Sequence, residues 1–152
     1  MKIFFGILLA VFLTVGCATT AVEIKPFDNS ITVESSFDDV WTSLIRFMST
    51  NAIGIGSLEK ASGLIVLSGD NLDPDLIRQY CDAKPPFMYA MTGGTAGGSV
   101  VVAEDEGFVT VTVNTKFQAT SMYSMVNPPT MSTKSCNSTG AFETAVLGSI
   151  DR

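Results

Sequence analysis

Phe37, Val40, Trp41, Leu44, Ile45 and Met48 recur at spacings of three and four over a dozen residues. That spacing places all six on one stripe of an α-helix, with polar residues around the rest of the turn. Such a helix has to bury its stripe against another layer. Ser36 stands where an N-cap belongs, and Asp39 follows three residues later in the position of the capping-box acid. Asp38 and Asp39 also suit the positive end of the helix dipole, and Asn51 is placed to end the helix. A second period identifies the partner layer. Val109, Val111 and Val113 alternate with Thr110, Thr112 and Asn114, the pattern of a strand with one dry face and one wet face.

The rest of the chain supports the same architecture. Residues 31–33 alternate as a short strand. Residues 52–58 and 64–68 read as a hairpin across the turn residues 59–63, with Gly63 inside the turn. Asp73-Pro74 supplies an N-cap and a proline at the first helical position, which starts a short helix running to Cys81. Residues 99–103 and 108–117 form a second hairpin across the acidic turn 104–107. Ser138 or Thr139 opens a final helix with Phe142, Val146, Leu147 and Ile150 on its apolar side. Strands that arrive as hairpins give an antiparallel sheet. The expected fold is therefore α+β: a mostly antiparallel sheet built from hairpins, with two amphipathic helices packed on one face. Segments 82–98 and 118–135 show no clear period and carry the Pro-Pro pairs 85–86 and 128–129, so both read as long loops.

The start of the chain differs from everything after it. Residues 3–15 form an apolar run broken only by Gly6 and Thr14, with Lys2 as the only charge before Glu23. The run suits the core of a secretory signal peptide and is short of the about 20 apolar residues that a spanning helix needs. It closes on Thr14-Val15-Gly16-Cys17, which resembles the lipobox of bacterial lipoproteins. Thr14 departs from the leucine usual there, although Leu13 lies beside it. The resemblance implies a signal peptide over 1–16 and a diacylglycerol-bearing, acylated Cys17 as the first mature residue. It further implies two or three acyl chains, enough for stable anchoring where a single chain is marginal. Ala18 follows in place of the aspartate associated with retention at the inner membrane, which favours the periplasmic side of the outer membrane. Residues 17–30, poor in apolar side chains, then read as a tether, with a single domain over 31–152. The thirteen residues 18–30 would reach about 43–47 Å if fully extended.

Removing 16 residues from 152 leaves 136, enough to bury a core unaided, and loss of Lys2 takes the formal charge from −6 to −7. An acidic chain without a basic run is a poor partner for nucleic acid or anionic headgroups. Of three cysteines, a lipidated Cys17 leaves Cys81 and Cys136, which an exported protein most simply joins as a disulfide bond.

The stretch "SFDDVWTSLIRFM" followed by a K-x-S-G-x-I turn resembles the small helix-grip domains of envelope lipoproteins, the BamC-type accessory lipoproteins of outer-membrane barrel assembly among them. The ending "CNSTGAFE" is similar to the ends of uncharacterised envelope lipoproteins. These resemblances imply a protein-binding or scaffold module and carry over no functional residue.

Chemistry is hard to find in the sequence. The chain has no histidine, which removes the commonest general base and every Ser-His or Cys-His nucleophile system. The acid pairs 38–39 and 104–106 read as helix capping and a solvated turn. "GGTAGGS" at 93–99 lacks the lysine of a phosphate loop and leads into a strand where that motif requires a helix. "GIGSLE" at 54–59 lacks a third glycine, and "DNLDPD" at 70–75 lacks the spacing of a calcium loop. With no His and no C-x-x-C, no metal site, cofactor or catalytic residue is assigned. What remains is "PPFMYAM" and "TSMYSMVNPPTM". Each carries a Met-x-x-Met, at Met88/Met91 and Met122/Met125. Methionine and aromatic side chains make adaptable contact surfaces. A Cys81–Cys136 bridge would tie the two segments together and preorganise one surface. Phe87, Tyr89, Met91, Met122, Tyr123 and Met125 are its candidate partner-binding residues. The expected function is a lipid-anchored, non-enzymatic accessory or scaffold protein with an envelope protein partner. The alternative is a Met-rich periplasmic copper-binding protein, since thioethers accept soft Cu(I).

Overall fold

Helix α1 (Phe37–Thr50) forms where the apolar stripe lies. The computed structural model describes residues 26–150, so the signal segment, Cys17 and most of the tether lie outside the described residues. The Ser36 side chain accepts the Asp39 amide at 3.2 Å and donates to its carboxylate at 2.6 Å, and Asn51 closes the helix on the Phe47 carbonyl. Val40, Trp41, Leu44 and Met48 are buried.

The stripe packs on one antiparallel sheet. Its strands are β1 (Ser30–Val33), β2 (Ile55–Glu59), β3 (Leu64–Leu72), β4 (Ala90–Asp105), β5 (Phe108–Tyr123) and β6 (Thr130–Cys136). The order across the sheet is β1-β5-β4-β3-β2, with β6 also paired to β5. Strand β1 meets Val109–Thr112 and β6 meets Phe117–Tyr123, so the two short strands lie end to end along one edge of β5. Helix α2 (Pro74–Tyr80) and helix α3 (Ala141–Gly148) complete the fold. Asp73 caps α2 through two amides at 2.8 and 2.9 Å.

The alternation of β5 decides which face is covered. Val109, Val111, Val113, Phe117, Ala119 and Ser121 are all buried, and the even-numbered residues between them stand on the other, open face. There Thr112 and Thr110 hydroxyls meet Ser30 and Thr32 at 3.0 and 2.9 Å. Tyr80, Phe117 and Phe142 form an aromatic cluster where α2 and α3 meet the sheet.

Two segments expected as loops are mainly strand. Strand β4 begins at Ala90 within segment 82–98. Strand β5 runs on to Tyr123 and β6 starts at Thr130 within segment 118–135. Irregular chain there is confined to 82–89 and 124–129. The glycines that suggested a loop belong to a strand, and Gly94 among them is a packing residue. A Cβ on Gly94 would sit 2.2 Å from the Gln118 carbonyl oxygen and 2.7 Å from Ile77 of α2. Glycine lets the short helix lie directly on the sheet. Gly94→Ala is expected to cost about 1–3 kcal/mol through overpacking, since backbone cannot yield as a side chain can. Thermal denaturation against Gly97→Ala, where an added methyl meets nothing within 4 Å, isolates that effect.

The domain also starts earlier than expected. Phe27 packs against Gly140, and Asn29 bonds to the Val113 carbonyl at 3.2 Å, so the last residues assigned to the tether belong to the folded body. The short helix expected between Asp73 and Cys81 forms as α2 and lies on the sheet beside the two amphipathic helices.

Candidate functional site

Cys81 and Cys136 stand at disulfide distance, with Cα atoms 5.8 Å apart. They join the end of α2 to the end of β6. Around them Asp82 accepts from the Asn137 amide and side chain at 2.9 and 3.1 Å, and Thr139 reaches the Gln79 and Tyr80 carbonyls. The pair therefore fastens the base of the β5–β6 hairpin. It does not lie between the two loops: Thr130, at the loop end of β6, is six residues from Cys136, about 20 Å along a strand.

The loops meet by another route. The β4–β5 ladder continues to Ala90 opposite Met122, and Tyr89 stacks on Tyr123 with ring centroids 5.4 Å apart. The last residues of segment 82–89 and loop 124–129 therefore sit at one end of the sheet, while 82–84 run beside the base of β6. The far end of the same hairpin is the tight turn at Glu106 and Gly107, both at positive φ, flanked by exposed Glu104 and Asp105.

The two-loop end is apolar and wet. Phe87 is 91% exposed and Met125 74%, with Met88, Val126 and Met131 also exposed. Met122 is half-buried on the open face, between Ala90 on β4 and Met131 on β6. The segments 84–92 and 117–136 carry Lys84 and Lys134 and no carboxylate.

Five of the six candidate residues lie at this end, with Met122 and Tyr123 on opposite faces of β5. Met91 is not among them: it faces the helices opposite Ser121, is 7% exposed, and belongs to the core. A register irregularity between Met91 and Gly93 accompanies this inward placement. Met91 and Met88 thus point to different environments. Sequence reasoning passed over Met131, which becomes a neighbour of Met122 only once β6 is known to be a strand.

The acid pairs have structural partners or lie in solvent. Asp38 bridges Lys60 at 2.8 Å, and Asp39 is engaged by its cap. One further acid is buried: Glu143 in the first turn of α3, 1% exposed, accepts from the Thr115 hydroxyl and from Ser138 at 2.8 Å. Among the described residues no cluster of three or more His, Cys, Asp or Glu is placed to hold a metal. No helix among them is long and apolar enough to cross a membrane.

Fold and surface define an α+β domain with a helix-covered antiparallel sheet and apolar side chains exposed at its two-loop end. Compared with protein-family models the chain matches none, and no curated protein matches it.

Proposed function

We propose that this protein is a lipid-anchored, non-enzymatic accessory module of the bacterial envelope that docks a protein partner through its two-loop end. The observation that supports docking is the exposure of Phe87, Met88, Met125 and Met131 toward one end of the sheet, where Tyr89 stacks on Tyr123. Large apolar side chains gathered on one surface mark contact sites, where scattered single ones do not. Aromatic residues supply the energetic centre of such sites, and methionines adapt to the partner's shape. The lipobox at 14–17 supports the anchor and the compartment.

Replacing Phe87, Tyr89, Met122, Tyr123 and Met125 together by alanine should reduce crosslinked partner capture in envelope preparations at least tenfold. Hot-spot residues typically contribute 2 kcal/mol or more each, so five would be felt strongly. Met91→Ala serves as the contrast. It should lower the melting temperature through a core cavity and leave capture by the folded fraction unchanged. Undiminished capture by the five-residue variant removes the docking surface from consideration.

A further inference from the structure

Three strands of the sheet have an unpaired outer edge along most of their length, and they differ: β1 is only four residues long. Strand β2 is five residues long, its register with β3 breaks between Ile55 and Ser57, and it ends on Glu59 in a 3-10 turn. Short length, irregular pairing and charge are the means by which sheets discourage further pairing. Strand β6 has none of these except one lysine. Its seven residues pair with β5 in unbroken register from Tyr123↔Thr130 to Phe117↔Cys136. Among the described residues, no backbone hydrogen bond joins the outer side of Thr130–Ser135 to another segment. Only beyond Cys136 is that side covered, by the Cys81↔Ser138 bridge and the Asp82 amide on the Asn137 carbonyl.

Lysines outnumber carboxylates around this edge. Lys84 and Lys134 line a shallow hollow of about 250 Å³ at the covered end of β6. Lys116 stands exposed on the open face of β5, one residue before the β5–β6 ladder begins. Among the described residues none of the three has a carboxylate within 4 Å, whereas Lys60 and Arg78 are paired. Asp82, the acid nearest to them in the hollow, has both oxygens engaged by Asn137. Three of the six described cations thus lie unpaired near one edge of a chain with net charge −6, Lys84 and Lys134 together in the hollow and Lys116 on the opposite face of the sheet.

We infer that the outer edge of β6 is a strand-addition site for an extended, acidic segment of a partner protein. This deepens the docking proposal and rests on it. An added strand draws its affinity from main-chain hydrogen bonds and its selectivity from side chains on alternate positions. Here Thr130–Ser135 supplies the backbone edge, and the lysines select carboxylates. Met131 leads the added strand toward Met125 and Phe87. A second copy of this chain fits less well, because antiparallel β6–β6 pairing would bring two lysine clusters to the same edge.

The test uses the full mature protein and two seven-residue peptides, one alternating valine with glutamate and one alternating valine with lysine. Amide hydrogen exchange is followed residue by residue. Saturating glutamate peptide should slow the outward-facing amides of 131–135 at least tenfold, and the lysine peptide should not. The variant carrying Lys84→Glu and Lys134→Glu, both on the surface, should reverse that preference. Protection by neither peptide, equal protection by both, protection at β2 alone, or slowing that rises with protein concentration without peptide would each overturn the inference. The Phe87→Ser, Met125→Ser variant separates the two ideas. Its β6 edge should still be protected by the glutamate peptide even where partner capture is lost. Retained capture in that variant with an unprotected edge in the parent would count against both.

Discussion

Cys17→Ala is expected to abolish acyl labelling and to remove the protein from the membrane fraction, either as a soluble form or as an uncleaved precursor. The change is all-or-none, because the thiol is the only atom of the chain that the diacylglycerol would join. Each buried methylene of an acyl chain contributes roughly 0.8 kcal/mol, so two or three chains hold the protein where none leaves it free. The folded body should not notice. Phe27 is the first residue with a described packing contact, ten residues beyond Cys17, and the melting curve of the variant's domain should overlay that of the parent. Membrane fractionation with a radiolabelled or clickable fatty acid checks both halves. A variant that remains acylated, or is cut normally at the same bond, contradicts the lipobox reading.

Cys81→Ser is expected to have the largest effect on stability. A bridge at a sequence separation of 55 restricts the unfolded chain by up to about 4 kcal/mol in the loop-closure picture. For a domain of this size that corresponds to roughly 10–15 °C in melting temperature. Cys81 is 2% exposed, so the lost sulfur contact adds to the deficit. Placement at the base of β6 determines where the loosening shows. Exchange should rise at 81–89 and at the Asp82–Asn137 contacts, while the β4–β5 ladder stays protected. The loop 124–129 should change little, because the ladder and the Tyr89–Tyr123 stack hold it independently of the bridge. Thiol counting on the purified mature protein is the companion measurement. Two free thiols in material from an oxidising compartment would contradict the pairing.

What was legible in the sequence was whatever has a period. Six apolar positions of α1 and three valines of β5 declare their buried faces without help from the rest of the chain. Caps at Ser36 and Asp73 were equally plain, because each is a local hydrogen-bonding device. The outer halves of β4, β5 and β6 were not legible. In "GGTAGGS" the side chains that would show alternation are missing: at Gly94 because Ile77 of α2 lies against it, and at Gly93 and Gly98 because the backbone takes positive φ beside a neighbouring carbonyl. In "TSMYSMVNPPTM" the two prolines drew attention, yet they occupy only the turn, and the residues on either side pair as strands. The candidate surface was found by composition, since methionine and tyrosine are conspicuous in otherwise polar stretches. Composition cannot distinguish the two sides of a strand. It groups Met91 with residues whose exposure it does not share, and it passes over Met131.

Photo-crosslinking from position 87 in intact envelopes tests the docking claim most directly, with position 57 on the opposite edge strand as the reference. Phe87 is 91% exposed and can carry a benzophenone side chain without disturbing the core. The result expected is one dominant protein adduct from position 87, absent from position 57 and mapped to a single segment of the partner. Adducts of equal yield from both positions, or none from position 87, would contradict a docking surface at the two-loop end.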